Sequence, residues 1–193
     1  KQSETKINRL PYIICDEPYR AITYNGKTVA SIFNEYNNSV ILTSFAKNLS
    51  IPGERLGYLC VNPLCSESKE LIASCILATR ILGYVNAPAF FQKVIAKSWN
   101  CKCDYSLYEK RCNEITEIMD YAGLKYIKPE GAFYLFVKVP DNWNNDDMAF
   151  TDHMKKFNIL CAPGTGFGCK GWFRISYCVS EQTIINSKNC QTY

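Results

Sequence analysis

An α/β unit followed by a smaller α+β unit is the fold class this chain predicts, on three observations. Two short runs, PYIICD (residues 11–16) and SVILTSF (39–45), are continuously apolar, as strands buried on both faces are. The residues between them, Glu17 to Asn38, suffice for a parallel crossover, which takes about a dozen. Beyond residue 103 the pattern changes to one long helix and then to short strands separated by turns. The predicted division is therefore 1–103 and 104–193.

The first strand closes on Asp16, with Pro18 soon after, and the second runs to Phe45. Parallel pairing would bring Asp16 and Lys47 out at the same carboxyl edge, where open α/β sheets bind ligands. A third strand, LGYLCV (56–61), follows the Pro52–Gly53 turn. Ser66 is placed to cap a helix over about 67–82, with Leu71, Cys75, Ile76, Thr79 and Leu82 on its apolar face. Pro88 suits the first turn of a second helix reaching Lys97.

Asp104 is placed to cap a long helix whose stripe runs through Leu107, Tyr108, Cys112, Ile115, Ile118, Met119 and Ala122, closed by Gly123. Next come a strand LKYIK, a turn at Pro129–Gly131, a strand AFYLFVKV and a helix around 147–157. A strand ILCA, a glycine-rich turn and a strand WFRISYCV complete the pattern, with Ser180 as cap of a last helix.

Composition removes several function classes. The net charge of +4 comes from scattered cations, with no run longer than Lys155–Lys156, so no nucleic-acid footprint is drawn. The longest uncharged apolar stretch, Leu71 to Thr79, is well short of the roughly 20 residues a membrane span needs. No apolar segment resembling a signal sequence follows the polar opening residues, so a soluble, cytoplasmic protein is expected. Eleven cysteines is an odd number, and Cys15, Cys60, Cys75, Cys161 and Cys178 fall in apolar runs, which reads as reduced, buried thiols. Cys101, Cys103 and Cys112 lack zinc-ligand spacing, and the single histidine, His153, is distant and expected on a solvated helix face, so no metal is predicted. The chain begins with Lys1 and not methionine, and reads as a piece of something longer.

Lys47 carries the functional question. It follows a hydrophobic strand, with Ser44 three residues before it and Arg55 eight residues after it. Singly, each feature has an ordinary explanation, since an aspartate at a strand end is often a turn residue and an arginine after a Pro-Gly turn is often a surface cation. Jointly they match what pyridoxal phosphate asks of a protein: an amine for its aldehyde, an acid for its pyridine nitrogen, and donors for its phosphate. Lys47 supplies the amine and Asp16 the acid. Tyr19 is a donor for the phenolic oxygen, and Ser44 and Arg55 are donors for the phosphate. GTGFG (164–168) lacks the lysine of a phosphate loop and leads into a strand, so its glycines are read as supplying unusual backbone angles.

The order and spacing of D-E-P-Y at Asp16–Tyr19, S-F-A-K at Ser44–Lys47 with Arg55 and Gly57 following, G-A-F-Y-L-F at Gly131–Phe136 and R-I-S at Arg174–Ser176 resemble the class I/II aminotransferases. These are fold type I enzymes of the aspartate aminotransferase superfamily. The resemblance covers nearly the whole chain but maps onto the carboxyl-terminal half of such an enzyme. It implies part of the large cofactor-binding domain, a mostly parallel sheet with helices, over 1–103. An interdomain helix and a small α+β domain would occupy 104–193.

It further implies a transferase moving an amino group between an amino acid and a 2-oxo acid. Lys47 would hold the cofactor and shuttle a proton, Asp16, Tyr19, Ser44 and Arg55 would bind the cofactor, and Arg174 would clamp the substrate's α-carboxylate. Asn86 and Phe133 match segments bordering the pocket. A homodimer is expected of the full-length protein, and the isolated chain is expected to be inactive. Two alternatives stay open: a carbon–sulfur lyase using the same lysine, and a non-catalytic fragment or interaction module.

Overall fold

The computed structural model describes residues 10–188, which divide into two compact units. The first holds the residues up to Ala21 together with Thr28–Cys103; the second holds Ile22–Lys27 and the residues from Asp104 onward. The short segment Ile22–Lys27 thus packs with residues that lie far beyond it in the chain.

The first unit is built on a three-stranded sheet in the order β1–β2–β3. Strand β1 (Ile13–Asp16) leads through a short helix α1 (Ile32–Glu35) to β2 (Ser39–Ser44), and the two strands pair in parallel, Asp16 opposite Leu42. A one-turn helix α2 (Phe45–Asn48) begins as β2 ends, so Phe45 is helical and not strand. β3 (Gly57–Val61) returns antiparallel to β2. That direction follows from the connection, because the Phe45 N–H donates to the Leu56 carbonyl at 3.0 Å, a reversal too tight for a parallel crossover. The α/β class holds, with one parallel and one antiparallel pair where a mostly parallel sheet was expected.

β1 is an edge strand and not buried on both faces as predicted: Ile14 is 65 % exposed. Helix α3 (Ser68–Ile81) starts after Glu67, with no side-chain cap from Ser66. Its first turn meets the sheet, where Leu71 packs on the buried Val40, Val61 and Cys65. Ile76 and Leu82 of the predicted apolar face are exposed. Helix α4 (Ala89–Ser98) follows Pro88 and places Ile95 against Phe45 and Leu56 in a second cluster. The buried Asn62 seals the unit's polar interior, donating to the Phe33 and Tyr36 carbonyls, each at 3.1 Å.

The second unit packs helices on a four-stranded sheet. Its long helix α5 (Ser106–Tyr121) buries Cys112, Ile115, Ile118 and Met119, the predicted stripe, and Gly123 takes the left-handed conformation that ends it. Asp104 accepts from the Ser106 N–H at 3.0 Å and from its hydroxyl, and these bonds hold its carboxyl below the ordinary value. Then come β4 (Tyr126–Ile127), β5 (Tyr134–Lys138), α6 (Asp147–Lys155), β6 (Ala162–Pro163), β7 (Trp172–Ser176) and α7 (Glu181–Lys188). The sheet order is β4–β5–β7–β6, all pairs antiparallel. Ser180 caps α7 through the Thr183 N–H, as its position predicts.

Alternation sets the two faces of β5 and β7. Leu135, Val137 and Phe173 point into the core with Phe150, and Tyr134, Phe136, Trp172 and Arg174 share the other face. Two expectations need correction. His153 is half-buried between the rings of Trp143 and Phe157, so it contributes packing and not solvation. Among the cysteines, Cys65 and Cys112 are buried, and Cys60 and Cys178 are exposed because they fall on an edge strand and just beyond a strand end.

Candidate functional site

Five predicted residues reach one edge of the first unit's sheet. Parallel pairing puts the ends of β1 and β2 side by side, and two further bonds keep the chains together beyond them. The Glu17 N–H donates to the Leu42 carbonyl at 2.8 Å, and the Thr43 hydroxyl donates to the Glu17 carbonyl at 3.3 Å. The residues after Asp16 are thus held over the start of α2. The Lys47 amine stands 5.7 Å from the centroid of the Tyr19 ring. Lys47, Tyr19 and Ser44 are half-buried, and Asp16 is exposed.

Ser44 has a local duty as well as a candidate one. Its hydroxyl accepts the Ala46 N–H at 3.1 Å, capping α2 where β2 stops, and donates to the Leu56 carbonyl at 3.3 Å. Gly57 lies opposite Ser44, so near the Thr43 carbonyl that a Cβ would collide with it. That close approach brings Arg55 to the same edge. Arg55 follows the tight turn Pro52–Glu54 with φ of +52°, and its guanidinium donates to the Pro52 carbonyl at 2.7 Å. A left-handed non-glycine residue costs on the order of 1 kcal/mol.

Sequence reasoning missed Arg20. It pairs with Glu17 at 2.7 Å and donates to the carbonyls of Val29 and Ala30, bracing the turn that carries Tyr19. The three-residue spacing of Glu17 and Arg20 was the available signal, but nothing marked the Val29–Ala30 backbone as its second anchor. Asn86 is exposed and lines a cavity of about 630 Å³ in the same unit with Phe45, Tyr58 and Trp99.

Arg174 and Phe133 belong to the second unit. Phe133 is buried, with its ring 5.4 Å from that of Tyr108, so it serves the core of this unit. Arg174 is half-buried in mid-strand, opposite Phe136 on one side and Ala162 on the other. Its guanidinium carbon lies 4.4 Å from the Tyr134 ring centroid and 4.3 Å from that of Phe167. Among the described residues no carboxylate forms an ion pair with it. A half-buried cation set among rings instead of acids can take an anion from outside.

Comparison with known proteins supplies the remaining findings. Residues 8–186 match the family described as aminotransferase class I and II. An aspartate aminotransferase from Thermotoga maritima is 27 % identical over 178 residues, which cover 90 % of this chain and 44 % of that protein. An aromatic-amino-acid aminotransferase from Thermococcus litoralis is 25 % identical, with 89 % and 46 % covered. Among solved structures, an amino transferase from Eubacterium rectale superposes with a TM-score of 0.91 at 39 % identity, covering 98 % of this chain and 47 % of that one. The chain spans about half the length of the curated relatives it matches.

Proposed function

The chain belongs to the class I and II aminotransferases, and from that premise we propose that it is the carboxyl-terminal part of a pyridoxal 5'-phosphate-dependent enzyme that moves an amino group between an amino acid and a 2-oxo acid. The observation that carries the reading is the convergence of Lys47 and Tyr19, 5.7 Å apart, on the sheet edge that also receives Asp16, Ser44 and Arg55. Amine, carboxylate, phenol, hydroxyl and guanidinium are the donor set that a phosphorylated pyridine aldehyde requires. When bound, that cofactor supplies an aldehyde that captures amines and a ring that takes up electrons.

The chain's own residues then have distinct tasks. The Lys47 Nζ would hold the aldehyde and would carry a proton to and from the substrate α-carbon. The Asp16 carboxylate keeps a proton on the ring nitrogen, because an adjacent negative charge favours the protonated form. The Tyr19 hydroxyl donates to the phenolic oxygen. Ser44 and Arg55 would hold the phosphate, the serine through its hydroxyl and the arginine through a planar guanidinium that matches phosphate in a bidentate way. The Arg174 guanidinium binds the substrate's α-carboxylate in the same planar manner.

A homodimer and a cytoplasmic location are part of the same proposal, drawn from the family likeness. Among the described residues no helix is long and apolar enough to cross a membrane. The test is to incubate the full-length protein with a panel of amino acids and 2-oxo acids. Amino-group exchange without free ammonia supports the reading, whereas ammonia released with cleavage of a carbon–sulfur bond replaces it with a lyase.

A further inference from the structure

Arg174 and the turn beside it are tied together by a buried acid. The Arg174 guanidinium carries one ring from β5, Tyr134, and one from the turn Gly164–Phe167. Aromatic rings over a guanidinium occupy its faces and leave its N–H edge for an anion. Tyr134 is fixed by the sheet, but Phe167 is half exposed, meets the sheet only edge-on at the Phe136 ring, 6.4 Å away, and otherwise rests on its turn. That turn is held by Asp147, the first residue of α6, which is 1 % exposed.

The Asp147 carboxylate accepts from the Thr165 N–H at 2.7 Å, from the Thr165 hydroxyl at 2.9 Å and from the Gly171 N–H at 3.1 Å. One side chain thus fastens both ends of the segment in which Phe167 stands, and Gly171 leads directly into β7. Gly164 packs so closely on the Cys169 and Trp172 carbonyls that no Cβ fits, so the segment is compact as well as anchored. Burying a carboxylate is costly unless its oxygens are satisfied. Here burial alone would raise its pKa, but the donors of Thr165 and Gly171 outweigh burial and keep the group below its ordinary value.

We propose that Asp147 is a positioning residue for Arg174: by clamping Thr165 and Gly171 it holds the Phe167 ring over the guanidinium and so presents the arginine's N–H edge to a substrate carboxylate. The inference rests on the reading of Arg174 as the carboxylate clamp. Asp147 touches neither the arginine nor the substrate, so a merely structural role would cost stability and leave the arginine unchanged.

The experiment is arginine side-chain NMR on the full-length protein with cofactor bound, titrated with propionate. The Arg174 Nε–H signal is assigned by its loss in Arg174→Lys. Asp147→Asn and Thr165→Val are expected to shift that signal as ring shielding is lost, and to weaken propionate binding about three- to tenfold, the scale of a cation–π contact. Thr165→Ser, which keeps the hydroxyl, is expected to match the parent. Phe167→Leu, at a half-exposed ring, is expected to reproduce both effects with Asp147 intact, and it decides the matter if Asp147→Asn does not fold. Folded Phe167→Leu, or folded Asp147→Asn, with an unmoved Arg174 signal and unchanged propionate affinity overturns the proposal. If Arg174→Ala itself leaves propionate binding intact, the carboxylate reading of the arginine fails, and the clamp is still reported separately by the signal shift.

Discussion

The Lys47 amine stands 5.7 Å from the centre of the Tyr19 ring although 27 residues and a crossover separate them in the chain. Parallel pairing of β1 with β2, extended by the bond from Glu17 to Leu42, produces that proximity. Tyr19 is therefore expected to act on the cofactor in two ways, through its hydroxyl and through its ring. Tyr19→Phe should weaken pyridoxal phosphate binding by about ten- to a hundredfold, the loss of one hydrogen bond to a charged group. Tyr19→Leu should weaken it further, because the ring beside the amine is lost too. Cofactor titration followed by absorbance separates the two.

Arg55 carries a backbone cost that its side chain must justify. With φ of +52° the position suits glycine, so Arg55→Gly should leave stability to urea within about 1 kcal/mol of the parent. The same change should lower cofactor affinity by about tenfold or more, since a guanidinium pairing with phosphate is lost. Stability and cofactor affinity falling together would show that the arginine serves the turn instead.

Arg174→Ala should separate substrate from cofactor. Loss of a bidentate guanidinium–carboxylate pair is worth about 3 to 5 kcal/mol, so kcat/KM should fall by roughly two to four orders of magnitude. Retention of pyridoxal phosphate should change little. An equal loss of bound cofactor would move Arg174 from the substrate to the phosphate.

The buried Tyr24 predicts how the second unit responds to base. Its hydroxyl donates to the Ala132 carbonyl and lies 2.9 Å from the Tyr177 hydroxyl, and burial pushes the Tyr24 phenol up to about 12. The neutral phenol is the stable form in the fold. Its contribution is thus complete below the ordinary value of 10 and is lost as pH rises through about 12. Urea unfolding should show about 3 kcal/mol lost across that window. Tyr24→Phe should flatten that dependence while starting from lower stability.

Much of this was legible because the signals were local. PYIICD and SVILTSF announced two strands, the polar span between them announced the crossover, and Asp16 and Lys47 followed at a common edge. The stripe from Cys112 to Met119 announced the buried face of α5. What was not legible depended on partners distant in sequence. The exposure of β1 and of Ile76 and Leu82 follows from how few strands and helices cover them, which an apolar pattern does not encode. The helix expected around 147–157 gave Asp147 no role, and its burial under Thr165 and Gly171 is visible only in three dimensions. The rings over Arg174 were likewise hidden, because Tyr134 and Phe167 reach it from another strand and from a turn.

On the proposed function, Lys47 is the amine that takes the cofactor. Borohydride reduction of the full-length protein after incubation with pyridoxal phosphate, followed by peptide mass mapping, tests it most directly. The cofactor should be found fixed on Lys47, and Lys47→Ala should carry none at that site. A protein that binds the cofactor but carries no label on Lys47, or carries it on another lysine, would remove Lys47 from that role.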